Sequence, residues 1–482
     1  RELETFRAAG MGGVHIIPIY GAKGYEERYV EYLSPRWMEL LHYTVSEADR
    51  LGMFVDMTTG TGWCFGGPNI PDDMASALVT YNKSDHAIRL KPSGSKVKRA
   101  APGGEGWMLN LFQRAAITHY LERFDEAFAR YDGPLPRAMY HDSYEYKCDW
   151  SPDLLDEFAK RRGYRLEDHF DAFFGDSGSE EQARLKGDYR ATQADMILEN
   201  GIGVWADWAR RLGCKTRNQA HGSPGNLLDL YAAADIPETE MFNKDRDPLA
   251  SKFASSAAHV MGKECVASET GTWLREHFQE KLADLKNLVD DLFVSGIDQI
   301  FYHATCYSPA DAPWPGWLFY ASTEMNPRNA IWHDVPIFNE YIARCQELFQ
   351  SSKPDNDVLL YWPIHDLWHK AGGMEMNLTI HKRYWLDEQS IGPAARRLWQ
   401  KGYEFDYISD RQLAALRVTG DGIAAPGGTY RAILVPRCVH IPVETMHTLR
   451  ALADAGAPVI FEGAVPDDVP GFDRLDERRA AL

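Results

Sequence analysis

The seven cysteines of this 482-residue chain lie scattered at positions 64, 148, 214, 265, 306, 345 and 438. No CxxC spacing occurs among them, so neither a zinc knuckle nor a disulfide framework is signalled. The chain also lacks any Lys/Arg-rich run, and 52 basic against 70 acidic residues leave a formal net charge of −18. Nucleic acid is therefore not an expected partner. No apolar stretch approaches the roughly 20 residues of a spanning helix, so no membrane span is expected. GxSxG, HExxH and EF-hand patterns are missing, which leaves serine esterase, zincin and EF-hand readings without a motif. The loop Thr59-Gly60-Thr61-Gly62 is glycine-rich but has no accompanying Lys, and no organic cofactor is expected.

What is present is ordinary globular composition, 44% hydrophobic and 25% charged. Aromatics are plentiful at 12%, including 14 Trp and 23 Tyr, which suits a large core and also sugar-stacking surfaces. A strand-then-helix rhythm runs through the first 350 residues, the pattern of parallel βα units. Short apolar, β-branched runs predict strands at 14–20, 53–59, 137–142, 216–221, 236–240, 265–269 and 299–303. A long, mostly polar helix is predicted over 180–212, and a small β insertion over 76–106. Seven strands are one short of a (β/α)₈ barrel, and Arg1 opens inside a helical pattern. The expected fold is therefore α/β, a TIM-type barrel whose first strand lies before residue 1. An open doubly wound sheet is the competing architecture. The stretch 351–357 reads as a linker, and a second strand-helix series follows it. The expected division is a catalytic barrel at 1–350 and a smaller flavodoxin-like α/β domain at 351–482.

In a barrel, chemistry sits at the carboxyl ends of the strands. Those places hold Asp56, Asp142 and Glu145, His221, Glu238 and Glu240, Glu269, and His303. Recurrent carboxylates are what glycoside hydrolysis needs, one to protonate the leaving oxygen and one to activate water or attack the anomeric carbon. Glu269 ends the buried run Cys265-Val266-Ala267-Ser268, where an unused carboxylate is costly. Glu145 follows the strand at 137–142, and Asp142 stands close enough in sequence to tune it by like charge. Glu238 and Glu240 share one face of their strand at period two. His221 and His303 are candidate donors to sugar hydroxyls, and Trp63 is a candidate stacking platform. A buried core role competes with each of the last three.

Taken together, Gly12-Gly13-Val14-His15-Ile16-Ile17-Pro18-Ile19-Tyr20-Gly21, Asp56 to Trp63, His141-Asp142-Ser143-Tyr144-Glu145, Gln219-Ala220-His221-Gly222, Pro237-Glu238-Thr239-Glu240 and Ala267-Ser268-Glu269 resemble glycoside hydrolase family 106, the α-L-rhamnosidases. The resemblance spans roughly residues 1 to 350. It implies inverting hydrolysis by two glutamates, matched here by Glu145 and Glu269, with Asp142 as a nearby acid. It also implies a rhamnosylated carbohydrate substrate, possible calcium dependence, flanking β-modules in a longer parent chain, and a periplasmic or extracellular setting. An inverting pair stands roughly 6.5–9.5 Å apart, against about 5–5.5 Å for a retaining one. A retaining β-galactosidase-like barrel and a non-catalytic carbohydrate-binding barrel are the alternatives.

Overall fold

The computed structural model describes residues 1–482. Seven parallel strands form one sheet in strict chain order: β1 (Gly13–Ile16), β2 (Phe54–Thr58), β3 (Ala138–His141), β4 (Lys215–Asn218), β5 (Ile236–Met241), β6 (Ala267–Thr270) and β7 (Gln299–Tyr302). Helices separate them, so this is the expected α/β barrel sheet, with β1 and β7 at its two edges. The first strand is shorter than the apolar run predicts. Pro18 has no N–H for the ladder, and its carbonyl instead accepts from Gly62, 2.7 Å away. The predicted insertion is present as an antiparallel hairpin, Ala77–Asn82 with Ala87–Pro92.

Four further parallel strands, β8 (Val358–Tyr361), β9 (Phe405–Ile408), β10 (Ala432–Val435) and β11 (Val459–Phe461), form a second sheet in the order β9-β8-β10-β11. The spatial order 2-1-3-4 is that of a flavodoxin-like sheet. The core does not stop at the linker. A single apolar cluster runs from the barrel helices through Phe253 to Trp362, Trp385 and Tyr407 beside the second sheet. The helix Pro248–Met261 forms the shared wall. Its residues are small, so both sheets approach closely. On one side Thr239 of β5 meets Ser251 at 3.5 Å. On the other, Ser256 Oγ accepts from the Tyr407 N–H at 2.9 Å, and His259 Nδ1 lies 3.0 Å from Asp406.

The polar stretch 180–212 is helical throughout, as Glu180–Met196 and Gly203–Leu212 joined by a π-helical segment Ile197–Ile202. It is buried, not solvated, and its cations explain how. Arg190 donates to the carbonyls of Trp368, Lys370, Gly372, Gly373 and Met374 at 2.6–3.2 Å. Arg184 likewise serves Val469 and Gly471. Five accepting carbonyls replace the water that a buried guanidinium loses, and they fix the loop that leads from β8 to the barrel mouth.

Candidate active site

Alternate residues of a strand share a face, and the barrel-facing side chains stack in two tiers. Arg217 on β4 is the centre of the lower tier. It is fully buried, with Nε 3.2 Å from Asp56 Oδ2 and Nη1 donating to Glu238. Its guanidinium lies 3.7 Å from the Phe301 ring centre and 4.4 Å from that of Tyr140. Arg137 brackets Asp56 with two more hydrogen bonds, 2.9 and 2.6 Å long. Burial acts against the Arg217 charge, yet Glu238 and Asp56 hold it above its ordinary pKa. The expectation that Asp56 binds substrate is corrected here: with no exposed surface and both oxygens held by arginines, it is part of the floor. Glu238 belongs to the same floor. Burial raises its carboxyl, while Arg217 and Gln219 oppose the rise.

The upper tier is acidic. Glu269 on β6 is the register partner of Glu240 on β5, so the two side chains stand side by side. Side by side in a buried site, the two negative charges oppose each other. Burial first, then the charges of Glu269, Asp142 and Glu238, hold Glu240 well above the usual carboxylate range. Asp142 is raised as well, by burial and then by Glu269. Gln219 Nε2 bridges the tiers, 3.1 Å from Glu238 and 2.8 Å from Glu269. Thr272 donates to the other Glu269 oxygen at 2.6 Å. His221 Nε2 lies 2.8 Å from Glu240, and burial and the neighbouring His381 push this imidazole down to about 3. His221 is therefore neutral, and its Nε2 is the ring atom that hydrogen-bonds with Glu240.

One wall of the mouth is aromatic. The rings of Trp63 and His303 lie 6.2 and 5.7 Å from that of Phe319. His303 Nδ1 donates to the Ala321 carbonyl at 2.8 Å and lies 3.7 Å from Glu269. Glu145 stands apart from the acidic cluster. Its half-exposed carboxylate pairs with Lys98 from the insertion, and Lys98 in turn is near enough to Asp142 to feel its charge. Asp142, Glu240, Glu269, His221 and His303 thus meet in one cleft, with Glu145 and Trp63 on the rim segments around it.

Sequence reasoning missed four contributors. Gln219 was detectable, since it follows Arg217 at period two, one residue beyond the end of β4. Thr272 and Lys98 come from loops with no pattern. His381 comes from the loop after β8, its Nδ1 2.8 Å from Asp245 and its Nε2 3.8 Å from Glu240. That loop is stitched to the barrel by paired backbone bonds, Gly222 to Leu378 at 2.8 Å and Leu378 to Ser223 at 3.0 Å. Calcium takes oxygen donors that converge on one point. The cleft has oxygen donors, but the one group of three His, Cys, Asp or Glu ligand atoms lying within 4.8 Å of one another is elsewhere, at Glu180, His369 and His440.

The family model for glycoside hydrolase family 106, alpha-L-rhamnosidase, matches residues 87–482. The chain belongs to that family. Among solved structures, the rhamnosidase from Novosphingobium sp. PP1Y superposes with a TM-score of 0.76 at 17% identity, covering 98% of this chain and 67% of that one. A β-galactosidase from Marinomonas ef1 superposes at 0.62 with 13% identity, over 100% and 76% of the two chains. Both likenesses are of fold. A curated protein of Formosa agariphila, bearing the name of a beta-glucuronidase, is 28% identical over 98% of this chain and 48% of its own length. The family 106 chain thus spans about half the length of that relative. No helix in it is long and apolar enough to cross a membrane.

Proposed function

We propose that this chain carries the catalytic centre of a glycoside hydrolase that removes terminal α-L-rhamnosyl groups, by a single displacement with inversion. The observation that carries the reading is the Glu240–Glu269 pair, two adjacent carboxyls at the strand ends of a family 106 barrel. Mutual repulsion and burial keep a proton in this cluster at neutral pH. Glu269, with a side chain 14% exposed against 7% for Glu240, is the group placed to pass that proton to the leaving oxygen. Glu145, exposed on the rim and paired with Lys98, is the carboxylate assigned to deprotonate the attacking water. Asp142, His221 and His303 would hold sugar hydroxyls, and Trp63 would offer a hydrophobic face.

The test is release of nitrophenol from nitrophenyl α-L-rhamnoside, with the product anomer followed by NMR. Glu269→Gln and Glu145→Gln are each expected to lower kcat/KM by about 10²–10⁴-fold, and the parent to form the inverted anomer first. Unchanged activity in both variants sinks the assignment, and a retained anomer sinks inversion. The name of the Formosa relative favours a second reading, a β-glucuronide substrate. Nitrophenyl β-glucuronide in the same assay decides between them.

A further inference from the structure

We propose that Glu180, His369 and His440 form a zinc site that ties the helix Glu180–Met196 to the loops of the second sheet. The three residues come from separate parts of the chain: the first turn of that helix, the end of the short helix Ile364–Trp368, and the loop after β10. Each offers one ligand atom, and the three atoms lie within 4.8 Å of one another. Two nitrogens and one carboxylate oxygen suit zinc, with water as a fourth donor. Calcium and magnesium prefer oxygen alone.

The surroundings orient the donors. Asp366 Oδ1 lies 2.8 Å from His440 Nδ1 and accepts the His440 backbone N–H at 2.8 Å, while Oδ2 accepts from Val439 at 2.9 Å. A carboxylate held this way places the ring proton on Nδ1 and leaves the Nε2 lone pair free, the usual arrangement behind a zinc-bound imidazole. The two rings face each other at 4.0 Å and 25°. The imidazoles are 15% and 9% exposed, whereas Glu180 is 60% exposed, which leaves an entry path. One carboxylate oxygen of Glu180 lies 2.7 Å from Arg184 Nε. The other, 3.1 Å from His369 Nε2, remains for an ion. Asp468, at 2.7 Å, balances the Arg184 charge.

The test uses the full chain, stripped with EDTA, dialysed against zinc chloride and then measured by elemental analysis and thermal unfolding. One equivalent of zinc and a raised Tm are expected, with no such rise in calcium chloride. His369→Ala and His440→Ala are expected to bind at least tenfold more weakly, and Asp366→Asn about tenfold more weakly. Should the histidine variants fail to fold, Glu180→Gln changes only an exposed carboxylate and is expected to show the same loss. Zinc content in the parent no greater than in His369→Gln/His440→Gln, or unchanged in Glu180→Gln, overturns the proposal. A stacked histidine pair without metal is then what remains.

Discussion

Arg217 shows how much one side chain settles at the base of the cleft. It neutralises two carboxylates that have no water, and it is clasped between two aromatic rings. Arg217→Ala leaves Asp56 with Arg137 alone and Glu238 with only the Gln219 amide. Breaking such a pair from one side costs about 3–5 kcal/mol. Urea unfolding is expected to show that loss, whereas an exposed pair such as Arg344–Glu340 is expected to show almost none on removal. The carboxylates themselves were legible in the sequence, because a strand-end acid in an apolar run has few uses. Their division into floor and cleft was not. It depends on which strands are neighbours and in what register, and local composition carries neither.

Between elements, the contact of the helix Leu227–Ala233 with the turn after β9 is built on a titratable group. Asp229 accepts from Ser409 at 2.5 Å and has Arg411 3.7 Å away, yet burial dominates and pushes its carboxyl up to about 7. The unfolded chain loses this proton near 3.8, while the folded chain keeps it to about 7. The folded state therefore binds the extra proton between those values, and stability falls as pH rises from about 4 to about 7. Asp229→Asn, which carries no such proton, is expected to flatten that decline. Urea midpoints at pH 4.5 and 7.5 in parent and variant check it, and an unchanged slope would contradict it. At this scale the sequence was informative about strands and helices. Buried parallel strands are short β-branched runs, and glycine or proline marks their ends. It showed 180–212 as a mostly polar helix but not its burial, because the carbonyls that receive Arg190 lie far along the chain.

At the scale of the whole molecule, the boundary proposed at 350–351 separates two sheets but cuts through the larger core. That core takes Leu360, Phe405 and Tyr407 of the second sheet, while Leu359, Tyr361 and Ile408 belong to a cluster of their own. Phe253 packs against Trp362, Trp385 and Tyr407 with ring centres 4.2–4.9 Å apart. A fragment of residues 1–351 would leave that aromatic surface bare. It is expected to be insoluble or to unfold without a sharp transition by circular dichroism. A soluble fragment with a cooperative melt would show the barrel to be self-sufficient. The same dependence reaches the cleft, since His381 arrives there on the loop that Arg190 holds. Nothing local in the sequence marks His381, whose position is set by the docking of the second sheet.

The helix Pro248–Met261 has a consequence for recombination. Eleven of its fourteen residues are buried, and it has partners on both sides. A chimera joined at the linker would give this helix a foreign second sheet. Gly427 illustrates the tolerance involved: a Cβ there would stand 2.0 Å from the His259 carbonyl and 2.5 Å from the Gly262 nitrogen. Parts exchanged between relatives must therefore travel as the helix together with the second sheet, leaving the crossover inside the barrel. The exchangeable unit in this chain is thus the second sheet with the wall it rests on.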